Sequence, residues 1–362
     1  MNQSLLDLET IGWDSFFWDN FTIFLEEGLI PGRITEVQRK SYMALTETGE
    51  IETRVSGKFR FTAEDKTTFP VVGDWAAIKM ETDSKGTIHA VLPRKSKFSR
   101  KIAGKITEEQ VLLANVDFVL IVSGLDNDFN IQRIERYLTL VSKSGSKPVI
   151  ILNKSDICQD LDKRLEEVKR IDPTIPIHTL SAELNEGLES LDQYLGKGKT
   201  IALLGSSGVG KSTIINKLLG TNRQKVGSVR KSDSHGRHIT TYREMFMLPN
   251  GGMIIDNPGI RELQLWSDDG GVSDVFSDIE ALSENCKFSD CTHINEPGCA
   301  VKNAIENDEL ELRRYQHYMK LKKEIEYLSI KQNEMTRITE KARGRGMSKK
   351  IKLIRKMRSD KF

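Results

Sequence analysis

The residues with the clearest chemical purpose form the run GSSGVGKS, from Gly205 to Ser212. It follows an apolar stretch, Ile201 to Leu204, and leads into a segment that reads as a helix. In that context a glycine-rich loop binds phosphate. Gly205, Ser206, Ser207, Gly208, Val209 and Gly210 would turn their backbone N–H groups onto phosphate oxygens. Lys211 would reach the β and γ oxygens, and Ser212, followed by Thr213, would offer a hydroxyl to Mg²⁺. The loop specifies a nucleotide but not its base.

A second run, VIILNKSD, supplies the base reading. Four apolar residues deliver Asn153, Lys154, Ser155 and Asp156 at the end of a buried strand. Guanine presents N1–H and N2–H₂ donors that one carboxylate can accept together, and Asp156 suits that role. Adenine would leave the carboxylate unpaired. Asn153 can bond the base and tie the loop together, and the Lys154 stem can lie across the ring. As a bare tetrapeptide Asn-Lys-x-Asp is also a good surface turn. The strand before it and the phosphate loop elsewhere in the chain favour guanine. LSA, Leu180 to Ala182, also closes a strand, so a backbone N–H near Ser181 or Ala182 could reach guanine O6. DNPG ends another apolar strand. Asp256 would hold Mg²⁺ through water, and the Gly259 amide would meet the γ-phosphate.

Between these motifs, KVGSVRKSDSHGRHITTYRE reads as a mobile switch, with Thr240 or Thr241 giving Mg²⁺ a second hydroxyl. After DNPG comes Ile260, where Ras-like enzymes keep a water-orienting glutamine nearby, so intrinsic hydrolysis should be slow. His238 is a candidate to orient the water. It could equally contact a partner or only shape the switch. Farther on, CKFSDCTHINEPGC places Cys286, Cys291, His293 and Cys299 together. Three thiolates and an imidazole make a closed tetrahedral Zn²⁺ set with no open position, which implies a structural ion.

These residues need elements to hold them. Residues 1–30 read as a helical lead-in with Trp13, Phe16, Phe17 and Phe21 on its apolar face. Residues 31–95 hold about five short alternating strands broken by turns. An OB-fold β-barrel is the leading candidate, although strand count alone also allows another small β-domain. PRKSKFSRKIAGK then carries six Lys/Arg from Arg94 to Lys105, either a solvated linker or a contact to a phosphate backbone. Buried-strand runs alternate with helical stretches from residue 116, which predicts a parallel doubly wound sheet within a domain over 96–280. Residues 281–340 form a zinc-binding helical domain, in which Leu312, Tyr315, Met319 and Leu328 recur near helical spacing. Residues 341–362 form a basic tail.

Composition restricts the class. The 362 residues are 38% hydrophobic and 29% charged, which suits a soluble multidomain chain. No apolar run is long enough to span a membrane. The acidic, aromatic N-terminus does not read as a signal peptide, so a cytoplasmic location is expected. The net charge of +2 conceals an asymmetry, because residues 341–362 carry ten Lys/Arg and one Asp, leaving −7 on the rest. A basic arm on an acidic body suits nucleic acid, and a solvated tail fits the composition equally well.

The order of motifs is NKSD, LSA, GSSGVGKS, GRHITT, DNPG, a circular permutation of the usual GTPase order. With a barrel before it and the Cys/His cluster after it, the chain resembles the ribosome small-subunit-dependent GTPase A family (RsgA, also called YjeQ or YloQ). It departs from the common family pattern at Ile239 and Asn257, where Thr is usual, and neither change removes a ligand. The resemblance implies a multidomain protein with an OB-fold barrel, a circularly permuted α/β phosphate-loop GTPase domain and a zinc domain. It implies a monomer that binds the small ribosomal subunit and its rRNA late in assembly. It also implies hydrolysis of GTP to GDP and phosphate, stimulated by the ribosome, with Mg²⁺ at the nucleotide and one structural Zn²⁺. An RNA-binding guanine-nucleotide switch with little hydrolysis, acting on another RNA or protein, is the alternative.

Overall fold

The computed structural model of the chain describes residues 5–63, 65–101, 109–220, 244–256 and 270–330. At the start, Asp7 caps a 3₁₀ turn, Leu8–Ile11, and Asp14 caps helix α1, Ser15–Leu25, by accepting from the amides of Phe16 and Phe17. Phe17 and Phe21 are buried, and the Trp13 ring meets Trp75 edge-on at 4.7 Å.

Next come β1 (Ile30–Val37), β2 (Tyr42–Thr46), β3 (Gly49–Val55), the short helix α2 (Gly57–Thr62), β4 (Trp75–Thr82) and β5 (Lys85–Val91). They pair in the order β1-β2-β3-β5-β4, and β4 returns to β1 and closes the barrel. The β3–β5 pair is parallel and the others antiparallel, as an OB-type closure requires. Its core is small and aliphatic: Ile34, Ala44, Ile51, Ala76, Ile78 and Ile88.

A two-stranded sheet of β6 (Lys97–Lys101) and β7 (Glu109–Ala114) leads into the second layer system. Its elements are β8 (Phe118–Gly124), α3 (Ile131–Ser142), β9 (Lys147–Asn153), α4 (Leu161–Lys169), β10 (Ile177–Leu180), β11 (Thr200–Leu204), α5 (Lys211–Leu219), β12 (Glu244–Met247) and β13 (Met253–Asp256). The sheet order is β10-β9-β8-β11-β13-β12, parallel except for β12. Alternate residues of β8, β9 and β11 (Leu120, Val122, Val149, Ile151, Ile201, Leu203) share one core with Ile214 and Ile215 of α5. Burying each such side chain contributes about 1.5–3 kcal/mol. The barrel extends this sheet, because β1 pairs with β12 at Glu36 and Glu244.

Arg33 joins three parts of this unit. It is 1% exposed, and its guanidinium donates to the Ile11 carbonyl of the lead-in and to the Asn115 carbonyl at 2.9 Å. Asn115 in turn donates to the Gly73 carbonyl at 3.0 Å and accepts from the Lys95 amide. Burial lowers the Arg33 pKa to about 10, and Asp117, Asp74 and Asp14 oppose that fall, so it stays charged at neutral pH.

Four charges of the basic connector are occupied internally. Arg94 bonds both oxygens of buried Asp74, Lys95 pairs with Asp14, Lys97 with Glu109, and Arg100 donates to Gln110. Arg94 and Lys95 therefore hold the barrel and lead-in together, which corrects a purely solvated or phosphate-facing reading of that end.

The chain divides into two compact units, the second made of Lys101–Glu108 and Leu265–Phe362. Its described helices begin at Gly270. It contains α6 (Gly270–Val275), α7 (Ser277–Ser283), α8 (Ala300–Glu306) and a helix α9 over 312–330. On α9 the buried residues are His317, Tyr318, Leu321 and Ile325. The anticipated stripe is displaced: Leu312 is 54% exposed, and Tyr315, Met319 and Leu328 are half-buried. The phase is set by polar ties to α7, where Arg314 bonds both Asp278 oxygens and Tyr318 donates to Glu280.

Replacing Arg33 with methionine strands two buried carbonyls. Arg33→Met is expected to destabilise the first unit by about 3 kcal/mol, read from urea unfolding. An unchanged midpoint would show that the junction does not depend on this side chain.

Candidate functional site

Parallel strands end at one sheet edge, so the loops after β8, β9, β10, β11 and β13 gather there. All five residues of β11 are buried, and the loop leaves it at Gly205 with φ +154°; a Cβ there would lie 2.3 Å from the Val122 carbonyl of β8. At Gly210, φ is +99° and a Cβ would lie 2.1 Å from Asn153 Nδ2. Glycine is required at both positions by close approach as well as by backbone conformation.

Val209 is buried as a plug between them, while Ser207 and Gly208 are exposed. Gly210 precedes α5 and, having no side chain, provides no side-chain cap to the first turn of the helix. The Lys211 ammonium is drawn over the loop and donates to the Gly205 carbonyl at 2.8 Å and to the Ser206 carbonyl. Ser212 and Thr213 are half-buried in the first turn.

Asn153 closes β9 and is 3% exposed. Its Nδ2 donates to the Val209 carbonyl at 2.7 Å, and its Oδ1 accepts from the Ala182 amide at 3.0 Å. One carboxamide therefore joins the phosphate loop, the NKSD segment and the Ser181–Ala182 turn. Ser181 is fully buried and exchanges two backbone bonds with Glu186. Lys154 takes left-handed backbone, φ 68°, and its ammonium reaches Asp126 Oδ2 at 2.5 Å. Ser155, Asp156 and Ile157 form a 3₁₀ turn, with the Asp156 carboxylate exposed at the rim. Asp256 ends β13, following Ile255, the register partner of Ala202, and so shares the edge with the phosphate loop. His238, Thr240, Thr241 and Gly259 lie outside the described residues.

Asp126 was not evident from sequence motifs. Its signal was positional, being a polar loop directly after the buried run FVLIVSG, at the same edge as the other loops.

The second unit carries a Cys/His cluster. Ligand atoms of Cys286, Cys291, His293 and Cys299 all lie within 4.8 Å of one another. Cys286 Sγ is 3.9 Å from Cys299 Sγ, and His293 Nδ1 is 3.6 and 3.5 Å from those two sulfurs. Metal–sulfur bonds of about 2.3 Å and metal–nitrogen bonds of about 2.0 Å in a tetrahedron require edges of about 3.5–3.8 Å. Cys286, Cys299 and His293 are spaced close to those edges, and with Cys291 the cluster could hold a metal ion.

The surrounding chain is shaped to hold them. His293 adopts φ 61° with its other nitrogen 3.2 Å from Ser283 Oγ, and Tyr315 of α9 donates to its carbonyl. Glu296 accepts from Thr292, Ile294 and Asn295; the Thr292 hydroxyl leads in holding its carboxyl down to about 2.

A closed OB-type barrel on a parallel sheet, with the NKSD strand preceding the phosphate-loop strand in sequence, defines a circularly permuted GTPase. The family model described as RsgA GTPase matches residues 91–266. An ABC transporter model also matches, over 188–358, a range that includes the same phosphate loop. The small ribosomal subunit biogenesis GTPase RsgA of Opitutus terrae is 43% identical over 332 residues, covering 89% of this chain and 90% of that protein. The RsgA 2 protein of Vibrio parahaemolyticus is 41% identical over 98% of this chain and 93% of its own. Among solved structures, YjeQ from Thermotoga maritima superposes with a TM-score of 0.60 at 27% identity, over 83% of this chain and 98% of that one. YloQ, a circularly permuted GTPase, shares the fold with a TM-score of 0.58 at 24% identity, over 82% of this chain and 95% of that one. The chain belongs to the RsgA GTPase family.

If the Cys/His cluster holds an ion between α7, α8 and the intervening loop, chelation is expected to abolish the cooperative unfolding of the second unit while sparing that of the first. Cys286→Ser should reproduce the effect. Identical calorimetric traces with and without chelator would contradict a structural ion.

Proposed function

We propose that the chain hydrolyses GTP to GDP and phosphate on the small ribosomal subunit and assists its late maturation, working as a cytoplasmic monomer. The observation that carries this reading is the Asn153 carboxamide, which joins the NKSD segment to the phosphate loop in a chain similar throughout to small ribosomal subunit biogenesis GTPases. Asp156 at the pocket rim accepts from guanine N1–H and N2–H₂, and the Ser181–Ala182 turn offers an amide to O6. The Lys154 stem, oriented by Asp126, covers the ring, with Ser155 in the same turn. Gly205 to Gly210 wrap the phosphates, and Thr213 follows Ser212 in the first turn of α5.

Ser212, Asp256 and either Thr240 or Thr241 are suited to hold Mg²⁺, which supplies charge neutralisation at the β and γ oxygens. Lys211, positioned over the loop by two carbonyls, stabilises charge as water attacks the γ-phosphate in line. The Gly259 amide lies in the segment that would meet the γ-phosphate. Ile260 cannot orient water, which assigns that task to His238 or to a group brought by the ribosome. The donor set of Cys286, Cys291, His293 and Cys299 suits Zn²⁺, softness and geometry together excluding Mg²⁺ there. The barrel and the zinc unit are the surfaces proposed for rRNA.

In phosphate-release assays, basal turnover should be slow and should rise at least about tenfold with purified small subunits. Equal rates with and without subunits would refute ribosome-linked hydrolysis. Guanine-nucleotide binding with no phosphate release under either condition would instead mark a passive switch.

A further inference from the structure

Strand β8 lies between β9, which delivers NKSD, and β11, which delivers the phosphate loop. The loop after β8, residues 125–130, reaches both. On one side Asp126 Oδ2 accepts from Lys154 Nζ at 2.5 Å. On the other, Asp128 Oδ2 accepts from Ser206 Oγ at 2.7 Å and from Arg133 Nη1 at 2.5 Å. Arg133 Nη1 also donates to Ser206 Oγ at 2.8 Å, which closes a three-membered ring of contacts on the phosphate loop.

The two halves are linked, because Asp126 Oδ1 accepts from the Asp128 amide at 3.1 Å. Asn130 caps α3 by accepting from the Arg133 amide, which fixes the turn from which the guanidinium projects. The Arg133 guanidinium holds the Asp128 carboxyl below its usual range. At Asp126 partial burial pushes upward, and the Lys154 ammonium together with the Asp128 amide and its own more than offsets it.

Arg133 and Asp128 are 34% and 44% exposed at the side chain. A pair so open to solvent adds little to global stability. Its contacts fall instead on one residue of the phosphate loop, while the same segment holds the lysine of the base-reading loop. A nucleotide is a nearly rigid ruler between base and phosphates, so loops spaced in advance lose less freedom on binding it.

We propose that Asp126, Asp128 and Arg133 are positioning residues that set the spacing of the guanine-reading and phosphate-binding loops before nucleotide arrives, Asp126 through Lys154 and the Asp128–Arg133 pair through Ser206. The assignment rests on the guanine-nucleotide reading of the site. It adds a third loop to that site, outside the base and phosphate motifs, and makes a side chain of the phosphate loop, not only its backbone, part of nucleotide affinity.

The test titrates a fluorescent GDP analogue, with GTP as competitor, against the wild type, Arg133→Ala, Ser206→Ala and the double variant, and records thermal unfolding without nucleotide. Each single variant should weaken binding about tenfold. The double should lose no more than either single, since both remove one shared contact. Melting temperatures should stay within about 2 °C of wild type. Wild-type affinity in Arg133→Ala, fully additive losses in the double, or a large drop in its melting temperature would each overturn the clip. A wild type that binds no GDP would instead overturn the nucleotide reading itself.

Discussion

The nucleotide edge depends on one buried carboxamide. Asn153 has two polar side-chain atoms and is 3% exposed, so both call for partners within the protein. They find the Val209 carbonyl and the Ala182 amide, which belong to different loops. Loss of either bond would leave a buried group unpaired, so the three loops hold one another in place. The approach is close enough that residue 210 must be glycine, since a methyl there would overlap the Asn153 amide. Backbone freedom at Gly210 and hydrogen bonding at Asn153 are thus a single constraint.

That constraint explains why the unusual motif order does no harm. In a parallel sheet the loops meet because strands end at the same edge, whatever the order in which the chain visits them. Strand β9, which ends in NKSD, comes before β11, which ends in the phosphate loop, yet only β8 separates them in the sheet. Breaking the chain elsewhere leaves the first strand of the core, β8, next to the barrel. Asn115, just before β8, receives the Arg33 guanidinium, and Asp117 exchanges bonds with Thr200 at the start of β11. The central strands are therefore anchored to the barrel at one end and to the nucleotide loops at the other.

Much of this was legible in the sequence because buried parallel strands write continuous apolar runs and phosphate loops require fixed glycines. The barrel and the Cys/His cluster could likewise be read from local patterns. What escaped were partnerships between distant residues. Arg33 in PGRITEV looks like a solvent-facing charge, and only the fold shows it enclosed against Trp75 and two carbonyls. Arg94 looked like part of a free basic stretch until Asp74, twenty residues earlier, was found opposite it. On α9 several registers fit the apolar spacing, and the polar ties from Arg314 and Tyr318 to α7 choose among them.

The central claim is that a segment upstream of the phosphate loop reads guanine. Xanthine carries a carbonyl where guanine carries its N2 amino group, so an amide at position 156 would donate where the carboxylate accepts. The most direct measurement is hydrolysis of GTP and xanthosine triphosphate by Asp156→Asn in the presence of small subunits. The account predicts loss of GTP turnover and a gain of xanthosine triphosphate turnover, each by at least about tenfold. Unchanged preference for GTP would contradict it.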